Sequence, residues 1–114
     1  MSIFANQSEG AIEVGITDTP ILEPDLSRYG VTAAILMNRA AAARTVEIYE
    51  SPNLTSASGE LIASLVLDAL EAIPVEEIVG QSYFEGQNLI ALAVNGSGGD
   101  VICRITFTSY TGAS

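Results

Sequence analysis

The sequence predicts an all-β protein, an antiparallel β-sandwich of the jelly-roll or immunoglobulin-like type. Seven to eight short segments alternate between apolar and polar residues, and turn-forming residues separate them about every ten positions. At 114 residues the chain has the length of one domain and can bury a core without disulfides. We therefore expect an N-terminal arm at residues 1–9, followed by a single β-sandwich domain over residues 10–114.

The first strand is predicted at residues 10–17, where three apolar residues share one face of an alternating pattern. The residues before it are polar apart from Ile3 and Phe4, which is typical of a terminal arm. Residues 18–30 contain two prolines, and each proline fixes φ and removes a hydrogen-bond donor. We expect this stretch to be a loop.

Residues 35–50 allow two interpretations, because four consecutive alanines favour a helix while residues 45–50 alternate like a strand. A helix here would include several β-branched residues and would have no capping residue to end it. We therefore predict strands at residues 31–38 and 45–50, joined by a hairpin connection at residues 38–43. The first of these strands is apolar on both faces, which suits a strand covered on both sides or one at a subunit contact.

The second half of the chain predicts further strands. Residues 60–73 fit either a helical stripe or a strand, and we predict a strand over residues 60–68 because its neighbours are predicted strands. A short alternating segment follows at residues 75–80. The last two strands are predicted at residues 88–95 and 100–110, and the glycines between them suit a hairpin loop. Alternation predicts one apolar inner face in each strand, formed by Ile90, Leu92 and Val94 in the first and by Val101, Cys103, Ile105 and Phe107 in the second.

Composition excludes several classes of function. Hydrophobic residues make up 48% of the chain and charged residues 16%, so little polar surface is available and we expect partners to cover part of it. The net charge of −10 opposes binding to phosphates, which argues against nucleic acid as a partner. Neither a secretion signal nor an apolar run long enough for a membrane span is evident. We expect a protein made in the cytoplasm that does not bind a membrane.

Groups that could perform catalysis are scarce. The chain has no histidine and no lysine, which excludes a Ser-His-Asp triad, a Schiff base and an imidazole metal site. Glu76 and Glu77 are adjacent and would point to opposite faces of a strand, unlike the paired carboxylates of a glycosidase. Cys103 is the only cysteine, and we interpret it as a small buried hydrophobe and not as a reactive thiol. We therefore expect no enzymatic activity, no metal and no cofactor.

Three sets of polar or aromatic residues leave alternatives open. Asp18, Glu23 and Asp25 could hold Ca²⁺, but their spacing matches no calcium loop, and we favour a turn capped by short acidic side chains. Dispersed aromatic residues could form a sugar-stacking platform, which keeps a carbohydrate-binding or host-adhesion module as an alternative function, but without tryptophan we favour packing or a subunit contact for them. The four arginines could pair with acids across a subunit interface or neutralise acids within the chain. The aromatic residues are Tyr29, Tyr49, Tyr83, Phe84 and Tyr110, and the arginines are Arg28, Arg39, Arg44 and Arg104.

Two stretches carry a family resemblance. VTAAILMNRAAAARTVEIYESPN at residues 31–53 resembles the central strand pair of small β-sandwich virion proteins of tailed bacteriophages, and FEGQNLIALAVNGSGGDVICRITF at residues 84–107 resembles their closing strands. The resemblance implies a capsid decoration (cement) protein, a homotrimer that binds the major capsid protein on the outer surface of the head. Candidate residues for contact with the capsid or a second subunit are Ile3, Phe4, Arg28, Tyr29, Arg39, Arg44, Tyr83 and Phe84.

Overall fold

The structure, a computed structural model, describes residues 3–25, 28–95 and 99–111, and at residues 3–9, 110 and 111 it describes the backbone. These residues form two antiparallel sheets and one short 3₁₀ turn at Ser56–Ser58. No helix in the described ranges is long and apolar enough to cross a membrane. The predicted all-β sandwich is confirmed. The strands are β1 Ile3–Val14, β2 Thr19–Leu22, β3 Arg28–Asn38, β4 Arg44–Ser51, β5 Glu60–Leu67, β6 Ala72–Pro74, β7 Ser82–Tyr83, β8 Asn88–Ala93 and β9 Val101–Thr111.

The order of the strands is that of a jelly roll. Sheet A runs β1-β9-β3-β6, with β7 pairing to another part of β3, and sheet B runs β2-β8-β4-β5. Among consecutive strands only β4 and β5 are neighbours, because most connections cross from one sheet to the other. In an immunoglobulin sandwich the first two strands pair within one sheet, whereas here β1 and β2 lie in different sheets. Of the two predicted types of sandwich, the structure is therefore the jelly roll and not the immunoglobulin-like one.

Two predicted hairpins are wrong, although their strands are present. β3 pairs with β9, β6 and β7, whereas β4 pairs with β5 and β8, so residues 39–43 cross between the sheets. In the same way β8 lies in sheet B and β9 in sheet A, and of the connection between them residues 96–98 lie outside the described ranges. Alternation of apolar residues fixes which face of a strand is buried, and it leaves the pairing partner open.

Smaller differences from the prediction have local causes. β1 begins at Ile3 and includes most of the predicted arm, and its register with β9 shifts next to Gly10, where φ is +80°. The predicted loop at residues 18–30 contains β2, which tolerates Pro20 because it is an edge strand that needs no donor on its free side. The alternation at residues 75–80 belongs to a turn anchored in the core by Val75 and Ile78.

The core lies between the two sheets and follows the predicted alternation. The inner residues of β9 that were predicted to face inward are all buried, as are Val46 and Ile48 of β4. The inner face of β8 is the opposite of the expected one, because Leu89, Ala91 and Ala93 join the core. The buried residues of β9 are Val101, Cys103, Ile105 and Phe107.

Asn38 is a buried polar residue that ties the end of β3 to its surroundings. Its side-chain amide donates to the carbonyl oxygens of Ala42 at 2.8 Å and Asp68 at 3.0 Å. Its carbonyl oxygen accepts from the N–H of Ala40 at 2.9 Å. An amide buried in this way needs its partners, since an unpaired polar group there would cost about 1–3 kcal/mol. Asn38 therefore fixes both the alanine connection and the turn that follows β5.

A charge placed between the sheets should unfold the domain. In Val46→Asp and Ile105→Asp the new carboxylate would be buried without a partner, because the two side chains are 0% and 1% exposed. We expect a loss of more than about 4 kcal/mol, comparable with the whole stability of a small domain. Thermal unfolding followed by circular dichroism measures the change. Val66→Asp is the matched control, since Val66 is 63% exposed, and an equal loss there would contradict this account of the core.

Alkaline pH should destabilise the fold through two buried side chains of the core that lose a proton at high pH, the thiol of Cys103 and the phenol of Tyr83. Burial raises the pKa of the Cys103 thiol to about 12, and burial together with the charge of Glu50 raises the pKa of Tyr83 to about 12. Both groups ionise more easily in the unfolded chain than in the folded one. The free energy of unfolding is therefore unaffected by their ionisation below about pH 9, and it falls as the pH rises towards 12. Urea unfolding from pH 7 to 11.5 should show this decline. Cys103→Ala should show a shallower one, and parallel curves would contradict the assignment.

Candidate interaction surface

The outer face of sheet A, on the side turned away from sheet B, is largely apolar. On β3 the inward residues are buried, while Ile35 and Met37 point outward and are 41% and 44% exposed. Strand pairing places these side chains beside the outward residues of β9, β1 and β6. Two rows cross the sheet, one of Ala11, Arg104, Ile35 and Pro74, and one of Glu13, Ile102, Met37 and Ala72.

Two adjoining grooves lie on this face. The larger has a volume of about 410 Å³ and is lined by Ala33, Pro74 and Val79 among others. The smaller has a volume of about 280 Å³ and includes Ala11, Met37 and Ile102. Ile35 and Arg104 line both grooves and join them into one depression. The outer face of sheet A therefore offers an apolar, concave surface with a cation at its middle.

Arg104 differs from the other cations near this face. Arg39 contacts Glu13 at 3.8 Å and donates to the carbonyl oxygen of Gly99, and Arg44 donates to Asp100 at 2.9 Å. Arg104 is exposed and makes no ion pair with any residue in the ranges that the structure describes. Its guanidinium is therefore the cation of this face that is available to an acidic partner.

A turn at residues 68–71, here called the Leu70 turn, adjoins the same face because it leads directly into β6. Leu70 is 72% exposed and has a positive φ of 61°. The N–H of Leu70 donates to the carbonyl oxygen of Ala40 at 3.1 Å, and the N–H of Asn38 donates to that of Glu71 at 2.8 Å. The turn is thus fixed to the end of β3 while its apolar side chain points into solvent.

The residues predicted to make contacts have different environments. Ile3 and Phe4 pair through the backbone with Thr111 and Tyr110, and their side chains lie outside the described part of the chain. Arg28 is exposed, Tyr29 stacks on Phe107 with ring centres 4.4 Å apart, and Phe84 is 53% exposed. Tyr83 lies in the core, and Arg39 and Arg44 form the ion pairs within the chain described above.

The acids considered for Ca²⁺ and the dispersed aromatic residues are the other two sets of site candidates. Across residues 3–25, 28–95 and 99–111, no group of three or more acidic or cysteine side chains is placed to hold a metal ion. Asp18 accepts a hydrogen bond from the N–H of Ser56 at 3.0 Å. Of the aromatic residues, Tyr29 and Tyr83 lie opposite each other on β3 and β7 of sheet A. Tyr49 lies on sheet B, where its hydroxyl donates to Glu47, and this hydrogen bond raises the pKa of Tyr49.

Sequence reasoning found part of this surface and missed the rest. The apolar residues on both sides of β3 indicated a strand that is covered twice or contacts another subunit, and the structure leaves its outer side exposed. The sequence does not distinguish Arg104 from the other three arginines, because which arginine has no acid to pair with depends on where the acids lie in the folded chain. The Leu70 turn carries no signal in the sequence, since leucine gives no indication of a positive φ.

Comparisons with known proteins identify the fold and no family. No protein-family model matches the chain, and no curated protein sequence matches it. A chain from a structure described as "Bacillus endospore appendages form a novel family of disulfide-linked pili" has a TM-score of 0.54 at 10% identity, over 99% of this chain and 89% of that one. This comparison shows a shared β-sandwich fold.

Two further structures are more distant. The Drosophila NLP-core, described in terms of pentamer formation and histone binding, has a TM-score of 0.42 at 14% identity, over 99% of this chain and 100% of that chain. The infectious bursal disease virus Gx strain has a TM-score of 0.24 at 10% identity, over 99% of this chain and 34% of that one. Neither likeness is close enough to support an argument about this protein.

Proposed function

We propose that this protein is a structural virion protein, a decoration (cement) subunit that binds the outer surface of a tailed-bacteriophage head as an oligomer. The observation that carries the proposal is that the outer face of sheet A is apolar and exposed. The inner faces of the two sheets already form a complete core, and the outer face of sheet A still exposes two joined apolar grooves. A surface of this kind is typical of a protein that functions in contact with another protein.

The charge and chemistry of the chain support an adhesive role. A net charge of −10 repels the phosphates of packaged DNA, so attachment to the protein shell is favoured over attachment to the genome. The chain offers neither histidine nor lysine for acid–base or covalent catalysis. We therefore propose a protein without enzymatic activity whose partners are the major capsid protein and further copies of itself, as a homotrimer made in the host cytoplasm.

Stabilisation of the shell would follow from selective binding. If many copies bind the assembled, expanded shell and bind the free capsid subunits poorly, their binding free energy adds to the stability of the shell. The subunit then needs two contacts, one with the shell and one with its neighbours. We assign the first to the N-terminal part of β1, an edge strand of sheet A, and the second to the outer face of sheet A.

A subunit of a surface filament is the second candidate function. It is favoured by the fold shared with the endospore appendage chain, which extends over nearly the whole length of both chains. Linkage by disulfides, the property named for those pili, is not supported here. Cys103 is the only cysteine and is 1% exposed, so it is not available to a neighbouring subunit.

Removing residues 1–9 should separate folding from attachment to the shell. The deletion removes the pairing of Ile3–Ser8 with β9 and keeps the pairing of Ala11–Val14, on the other side of the register shift. We expect a folded β-sandwich with a moderately lower melting temperature and a several-fold lower occupancy on capsids. Co-sedimentation with phage capsids prepared without this protein measures the occupancy, with the full-length chain as control.

Two results would count against these assignments. Occupancy that is unchanged by the deletion would remove the contact assigned to β1. Failure of the full-length chain to sediment with capsids at any tested concentration would remove the decoration function itself.

A further inference from the structure

We infer that the Leu70 turn of one copy docks into the joined grooves on the outer face of sheet A of a second copy, where Asp68 pairs with Arg104. The inference rests on the proposed function, because it identifies the contact between copies of the decoration subunit. Leu70 would fill the apolar depression, and the neighbouring carboxylate would meet the guanidinium that both grooves share.

The grooves specify the chemistry of their occupant. Apart from Arg104 and the two threonines Thr32 and Thr106, their walls are apolar side chains from β1, β3, β9 and residues 74–79, so a matching partner presents an apolar side chain. Arg104 stands between them and forms no ion pair inside the described part of the chain. A guanidinium beside an apolar contact binds best to a carboxylate, because their planar groups form paired hydrogen bonds. The expected occupant is therefore an apolar residue with a carboxylate next to it.

The Leu70 turn has this chemistry. Leu70 is 72% exposed, and Asp68 is exposed two positions before it. The carboxylate of Glu71 accepts the N–H of Asp68 at 2.9 Å and is therefore used inside the turn. The carboxylate of Asp68 makes no ion pair within the described ranges. The turn thus exposes the side chain of Leu70 and the carboxylate of Asp68 next to each other.

The backbone of the turn supports a role in contact. A leucine at a φ of 61° is strained, because its Cβ lies too close to the following carbonyl oxygen. Leu54 has a similar φ of 63°, but its side chain is half-buried and so gains from folding. Leu70 gains no comparable burial within the subunit. Strain at an exposed apolar residue is expected where a partner covers it.

A second copy is favoured over an unrelated partner for two reasons. The first is that the chain carries both halves of the contact, and the Asp68–Arg104 pair would supply a local attraction that offsets part of the repulsion between two copies of net charge −10. The turn also lies at the edge of the face, since Ala72 of β6 pairs with Met37 of that face. Each copy can therefore give its turn to one neighbour and receive the turn of another, and such head-to-tail contacts close into a ring, as the proposed homotrimer requires.

Charge exchange tests the ion pair. In Asp68→Arg and in Arg104→Glu the two facing residues have the same sign, and we expect self-association to weaken about 30-fold or more in each. The double variant Asp68→Arg/Arg104→Glu restores opposite charges and should recover most of the affinity. Sedimentation velocity over a concentration series measures the dissociation constants. Glu60→Arg is the matched control, because it makes the same kind of charge change at an exposed site on sheet B.

Leu70→Asn tests the apolar half of the contact. Asparagine tolerates a positive φ better than leucine, so the isolated subunit should unfold at the same temperature or a higher one. Self-association should nevertheless weaken about tenfold, because the apolar side chain is lost from the grooves. Val66→Asn removes an exposed apolar side chain from the edge of sheet B and should leave association unchanged. A purely local role for Leu70 would alter stability without altering association.

The possible outcomes distinguish this inference from the proposed function. A double variant that associates no better than the single variants overturns the ion pair, and a Leu70→Asn chain that associates like the original overturns the docking of the turn. A protein that stays monomeric at about 1 mM yet sediments with capsids overturns the inference and leaves the decoration function standing. Variants that lose capsid binding but keep their self-association would assign this face to the capsid and overturn the inference as well.

Discussion

The pairing of β9 between β1 and β3 is the interaction on which the rest of the structure depends. It joins the central part of sheet A over eleven residues of β9, Val101–Thr111. One side of β9 supplies buried residues to the core, including Cys103 and Ile105, while the other side places Arg104 on the outer face. Period-two alternation in a single strand therefore sets both the stability of the sandwich and the chemistry of its candidate interaction surface.

The surface of the subunit follows from having more apolar residues than one core can hold. Two packed sheets bury their inner faces against each other, and each outer face is normally polar. Here the outer face of sheet A remains apolar, and the low content of charged residues leaves little to cover it. An exposed apolar face of this kind is suited to contact with a neighbouring protein, and in an assembly the total binding free energy grows with the number of such contacts.

The sequence was sufficient to predict the class of the fold and most of the strands. Buried alternation at Val46 and Ile48 and along β9 is a local property, so it can be read without a structure. Strand partners could not be predicted, because residues 39–43 are short enough for a hairpin and yet cross between the sheets. Buried Asn38 holds that crossing in place, and hydrogen bonds to carbonyl oxygens distant in the sequence leave no local pattern.

The candidate surface was predictable only in part, for similar reasons. The apolar residues on both sides of β3 indicated a contact, but the availability of Arg104 depends on where Glu13 and Asp100 lie in the folded chain. Those acids pair with Arg39 and Arg44, which the sequence alone placed in the same group as Arg104. The positive φ of Leu70 is set by tertiary hydrogen bonds and not by the preference of leucine.

The position of β9 between β1 and β3 also has a consequence for folding kinetics. A ribosome makes β1 and β3 long before β9, so during synthesis these two strands lack the partner that joins them. Sheet B is delayed in the same way, because β8 separates β2 from β4. Contacts between residues so distant in sequence close slowly. The nascent chain therefore exposes apolar strands until translation passes β9. Rapid synthesis of many copies would increase the amount of chaperone needed to bind these strands.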